Sequence, residues 1–163
     1  MHLSLSAVRQ DQKLILANLL ELYLHDLSES LPLSVDQESG RFGYAYLDTY
    51  WTETRRQAYF IKVGGKIAGF VMVNDHLLVL KQGRAIAEFF VMRAYRRRGL
   101  GQKALNQLFA QCGGAWEVAV HSNNLGALKF WRESLLQISS TCEESVLEDH
   151  GLRKQVFTLF VDR

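Results

Sequence analysis

Arg96, Arg97 and Arg98 run into Gly99 and Gly101, just where an apolar stripe at helical spacing begins (Leu100, Ala104, Leu105, Leu108, Phe109). That arrangement suits an anion. The first backbone N–H groups of a helix have no internal acceptor, and the positive end of the helix dipole lies there. Glycines lack Cβ and let a phosphate approach the backbone, while guanidinium groups add charge and paired donors. The loop therefore reads as a phosphate or pyrophosphate site. It is not a GxxxxGK[ST] loop, and GxGxxG is absent, which disfavours a dinucleotide fold.

The bulk of the chain narrows the ligand. With 163 residues, positions 1–163 read as a single domain, large enough to fold without disulfides or a metal. A composition of 48% hydrophobic and 22% charged residues, with one proline, excludes a disordered chain. A net charge of +2 is too small to imply nucleic acid or an anionic membrane. The cluster of Arg93, Arg96, Arg97 and Arg98 stays in one loop, whereas a nucleic-acid groove spreads its basic residues. Cys112 and Cys142 have no CxxC or Cys/His spacing, so no metal is expected. No apolar run is long enough to span a membrane. The opening MHLSLSAVRQDQK lacks the basic stretch and apolar core of an export signal. The expectation is a reduced, cytoplasmic protein, monomeric or homodimeric, with no nucleic-acid or membrane partner.

These residues must be held by a frame. Leu3 to Ala7 alternates as a strand, and Leu14, Ile15, Leu19, Leu22 and Tyr23 recur at helical spacing. Ser28 to Gly43 is polar and irregular, and Tyr46 to Thr54 reads as one face of a second helix. Ala58 to Val63 and Lys66 to Val73, joined by Gly64-Gly65, make a hairpin. Arg84 to Met92 is an apolar strand, Leu100 to Phe109 a helix, and Trp116 to Val120 a strand. Asn123 or Asn124 caps a helix carrying Leu125, Leu128, Phe130, Trp131 and Leu135. Ser139 to Leu147 and Leu152 to Val161 close the chain as two strands. The order β α α β β β α β α β β gives a mixed α/β fold. Its sheet is mostly antiparallel, with one parallel strand–helix–strand crossover from Arg84 to Val120.

On this frame the Arg-x-x-Gly-x-Gly spacing, after Phe89-Phe90-Val91, resembles the acetyl-CoA loop of the GCN5-related N-acetyltransferase (GNAT) superfamily. That motif is Gln/Arg-x-x-Gly-x-Gly/Ala after a strand ending apolar-x-Val. Downstream, NNLGALKFW resembles the family's Asn-x-x-Ala-x-x-Phe-Tyr element through Asn124, Ala127, Phe130 and Trp131. Together the motifs cover about residues 85 to 135. The resemblance implies a sheet splayed between Arg84–Met92 and Trp116–His121. Phe89, Phe90 and Val91 would pair with the pantetheine of acetyl-CoA. The N–H groups of Arg97, Arg98, Gly99, Leu100, Gly101 and Gln102 would take the pyrophosphate, with Arg96 among the arginines that add charge. A backbone N–H near Phe90 or Val91 would hold the oxyanion, and Asn124 would touch pantetheine or a bound water. No metal is required.

The implied reaction is acetyl transfer to a primary amine, on a small molecule or a peptide, by direct attack in a ternary complex. It needs a base for the ammonium, and a carboxylate suits. Glu88 lies inside an apolar strand beside the splay, where burial raises a carboxylate pKa. Glu117 is the alternative. It stands two residues before the strand position where some relatives place a glutamate, here Ala119. Either acid could instead be structural. Trp131 occupies the place of a tyrosine that protonates the departing sulfur in many members, and an indole N–H is too weak an acid for that. His121 titrates in a suitable range, and Tyr95 reads as packing. The acceptor wall would draw on the aromatic segment Phe42, Tyr44, Tyr46, Tyr50 and Trp51, with Asp48 and Glu53, and on Asp75 and His76. The competing reading is a CoA-binding regulatory module without efficient catalysis.

Overall fold

The structure, a computed structural model, describes residues 2–162. Seven strands form one sheet: β1 (Leu3–Ala7), β2 (Gln57–Val63), β3 (Lys66–Asn74), β4 (Arg84–Val91), β5 (Gly114–His121), β6 (Glu143–Asp149) and β7 (Leu152–Val161). Their spatial order is β1-β2-β3-β4-β5-β7-β6. Three helices flank the sheet: α1 (Lys13–Leu27), α2 (Leu100–Gln111) and α3 (Leu125–Ile138). Gly64 and Gly65, both at positive φ, make the tight turn that sets the β2/β3 register. On one face Leu16 and Leu20 of α1 pack on Phe60, Phe70, Met72 and Phe90. On the other, Leu105, Leu108 and Phe109 of α2 and Leu128, Trp131 and Leu135 of α3 pack on Val71, Trp116 and Val118. The central strands are covered on both sides, which explains their unbroken apolar runs.

Every neighbouring pair is antiparallel except β4/β5. That parallel pair is brief: Arg84 faces Trp116, Ala85 faces Glu117 and Ile86 faces Val118. Beyond Ile86 the strands part, although β4 continues to Val91 and β5 to His121. The cause lies in β4. Met72 of β3 opposes Glu88 while Val73 opposes Ile86, so Ala87 is an extra, bulged residue. A bulge bends its strand and raises the local twist, and here it leaves the far end of β4 with one edge unpaired.

Two expectations are corrected. Tyr46–Thr54 is not a second helix; only a short 3₁₀ turn forms, over Leu47–Trp51. The indole N–H of Trp51 donates to the Val8 carbonyl at 2.9 Å and Tyr50 is buried, so tertiary contacts rather than helical periodicity spaced those aromatics. The strand expected from Ser139 begins at Glu143. Ser139 and Thr141 instead spend their hydroxyls on Phe160 main-chain groups. Among the described residues no helix is long and apolar enough to cross a membrane, and both cysteines are free.

Candidate active site

Two clefts meet where β4 and β5 part. The first, of about 820 Å³, lies beside the arginine–glycine loop. A single 3₁₀ turn, Arg93–Tyr95, follows β4. Arg97 (φ 60°) and Gly99 (φ 70°) then reverse the chain into α2, whose N-cap is Gly99 with no side-chain cap. The first N–H groups of α2 are left for an outside acceptor. A Cβ built on Gly99 would meet nothing within 4 Å, so its backbone twist, not crowding, requires glycine. Gly101 differs: a Cβ there would lie 2.9 Å from the Phe130 ring. That ring stacks on Phe89 at 5.6 Å, and Trp131 meets both edge-on.

Most of the cofactor residues expected from sequence line this cleft: Phe89–Val91, Arg96, Arg97, Gly99–Gln102, Asn124, Ala127 and Phe130. Arg98 does not. Two side chains are already engaged. Asn124 caps α3 by accepting from the Ala127 N–H at 3.2 Å, and Arg96 bonds to the protein rather than projecting free.

The second cleft, of about 780 Å³, lies on the α1 side. Glu88 lines it, partly exposed. Tyr23 of α1 donates to one carboxylate oxygen, and Tyr44 donates to the other at 3.2 Å. Burial pushes the Glu88 carboxyl up to about 7, overcoming the two tyrosine hydrogen bonds and the Lys154 charge, all of which favour the anion. Burial and the Glu88 charge push the Tyr23 and Tyr44 hydroxyls upward, so both remain donors.

On β5, Glu117, Ala119 and His121 share one face and line this cleft. Glu117 is 2% exposed. Its carboxylate accepts from the Leu78 N–H at 2.7 Å, the Val79 N–H at 3.0 Å and the Leu80 N–H at 3.0 Å. It anchors the β3–β4 loop as an acceptor for three consecutive main-chain donors. His121 is half-buried, and its Nδ1 has no hydrogen-bond partner among the described residues. Burial and then Lys154 push its pKa below the ordinary histidine value, so it is neutral at pH 7. Lys154 itself pairs with Asp149 at 2.7 Å.

Of the expected acceptor wall, Tyr44, Tyr46 and His76 reach the cleft. Asp48 pairs with Lys13 and Asp75 with Arg55 on the surface, and Glu53 pairs with Arg56, a mostly buried arginine that itself lines the cleft. Tyr23 escaped the sequence reading because it falls on the apolar stripe of α1. Only the packing of α1 across β4 shows that this stripe ends opposite an acid. Tyr23, Leu27, Phe89, Asn124, Ala127 and Trp131 line both clefts and form the neck between them. Among the described residues no cluster of His, Cys, Asp and Glu is grouped to hold a metal.

The sequence pattern of the Acetyltransferase (GNAT) family matches residues 17–135. No curated protein matches the chain. Among solved structures, an acetyltransferase from Thermus thermophilus is similar with a TM-score of 0.72 at 16% identity, covering 99% of this chain and 98% of that one. The ribosomal-protein-S18-alanine N-acetyltransferase of Escherichia coli gives 0.64 at 15% identity, covering 99% and 96%. A GNAT family acetyltransferase from Elizabethkingia anophelis with acetyl-CoA bound gives 0.54 at 12% identity, covering 73% and 84%.

Proposed function

This chain belongs to the acetyltransferase (GNAT) family, and we propose that it transfers acetyl from acetyl-CoA to a primary amine by direct attack, with both substrates bound at once. One observation carries the reading: the unpaired edge of β4 beyond Ile86 borders the same neck as Tyr23, whose hydroxyl holds the Glu88 carboxylate.

The residues fit the cofactor. The free edge at Phe89–Val91 offers main-chain groups to an extended arm, and the uncapped start of α2 with Arg97 offers donors to a pyrophosphate. Bound there, acetyl-CoA supplies an activated thioester carbonyl. Glu88, anionic above about pH 7, takes a proton from the incoming ammonium. The freed lone pair forms the C–N bond as the C–S bond breaks. A main-chain N–H near Phe90 or Val91 meets the charge growing on the carbonyl oxygen. Trp131 can donate a hydrogen bond to the departing sulfur but no proton, so the thiolate takes up, through water, the proton that the new amide nitrogen sheds.

Calorimetry with acetyl-CoA tests the first half. Wild-type protein should bind in the micromolar range, and Gly99→Trp should abolish binding. A folded protein that binds none overturns the reading. An amine panel then tests the second half. Binding with no turnover of any amine would leave a CoA-binding regulatory module.

A further inference from the structure

Arg96 opens the Arg-x-x-Gly-x-Gly spacing, where a phosphate ligand is expected. Its guanidinium faces the protein instead. Nε donates to the Val91 carbonyl at 2.6 Å, Nη2 pairs with Asp26, and the plane lies 5.6 Å from the Phe90 ring centre. Asp26 gives its other oxygen to Arg93 at 2.8 Å, and its side chain is only 22% exposed. Burial works to raise the Asp26 carboxyl, but the two arginines outweigh it and hold it below the ordinary value. Two of the three Arg96 guanidinium nitrogens are thus spent on the protein, and swinging the guanidinium away to a phosphate would give up the bonds to both Asp26 and the Val91 carbonyl. Arg97 carries no such commitment. It is exposed, lines the cofactor cleft and makes no ion pair among the described residues. Asp26 also lies one helical turn beyond Tyr23, the donor to Glu88.

We infer that Arg96 is a positioning residue and not a phosphate ligand: with Asp26 as counter-ion it ties the cofactor loop to the last turn of α1, and the phosphate charge falls to Arg97 and the loop backbone. This rests on the acetyl-CoA reading above.

Calorimetry with acetyl-CoA at low and high salt tests it. Asp26→Asn and Arg96→Gln should each weaken binding by about five- to tenfold, the size of one ordinary, partly exposed hydrogen bond. The double variant should lose less than the product of the two single losses, because both break the Arg96–Asp26 pair. Asp26→Glu, which keeps the charge, should recover most of the affinity. Arg96→Gln should keep the wild-type salt dependence, whereas Arg97→Gln should flatten it by removing a charge that meets phosphate. Tighter binding by Asp26→Asn would mean that the freed guanidinium joins the phosphate, and would overturn the inference alone. So would a flattened salt dependence in Arg96→Gln. Wild-type protein that binds no acetyl-CoA would overturn the cofactor reading, and this inference with it.

Discussion

The two clefts that meet at the parted strands are built in opposite ways. The cleft proposed for the cofactor has its ligand-facing groups in the backbone of residues 89–102, a free strand edge, a left-handed turn and an uncapped helix start, with α1 and α3 closing its sides. The acceptor cleft is made of side chains brought from α1, the α1–β2 connection, β4, β5 and the β6–β7 hairpin. A backbone site depends on local conformation and tolerates change in most of its side chains. A side-chain site depends on the whole topology and can fail at one residue.

That contrast can be broken at several points. The largest effect is expected from Glu88→Gln. It should lower kcat by about 10²–10⁴-fold at pH 8 and leave the calorimetric affinity for acetyl-CoA within about twofold. A matching loss of affinity would mean that the clefts are not separable. Glu88 should also set a pH-dependence of folding. Its carboxyl titrates near 7 folded, against 4.5 as an ordinary glutamate, so the folded state disfavours the anion. Stability should therefore fall as pH rises between those values, by at most about 3 kcal/mol. Denaturant curves of Glu88→Gln at pH 5 and 8 should show that slope removed.

Glu117→Ala should cost about 2–3 kcal/mol, because three main-chain N–H groups lose their acceptor. Hydrogen exchange at Leu78–Leu80 should quicken, with the amides of the cofactor loop unchanged. Quickening in both places would show that the two clefts share one scaffold. Tyr44→Phe should give the smallest change. Losing a donor to the anion raises the Glu88 pKa further, so the pH at which activity reaches half its plateau should climb by about one unit or less.

The same contrast explains what the sequence could tell. Gly99, Asn124 and Ala127 are legible because the turn or cap each belongs to is specified within a few residues, whereas Gly101 answers to the Phe130 ring 29 positions on. The β2/β3 hairpin and the single parallel crossover were legible for a similar reason, since Gly64-Gly65 and the strand–helix–strand run from Arg84 specify them locally. Glu88 was conspicuous as an acid in an apolar run. Its partner Tyr23 was not, since 65 positions separate them and only folding brings them together. Spacing could not assign Glu117 either. A carboxylate aimed at main-chain N–H groups and one aimed at a substrate look alike in sequence. The arginine of the loop motif carries a partner that the motif does not show, since Asp26 lies 70 positions away on α1.

Glu117 grips the β3–β4 loop through N–H groups alone, and such a grip does not register which side chains those residues carry. Leu78 lines the acceptor cleft, and Val79 is 45% exposed. This stretch can therefore exchange its lining while the sheet keeps hold of it. It offers a ready graft point: a library varied at positions 78–80 with Glu117 kept would change what the cleft admits without asking the fold to change.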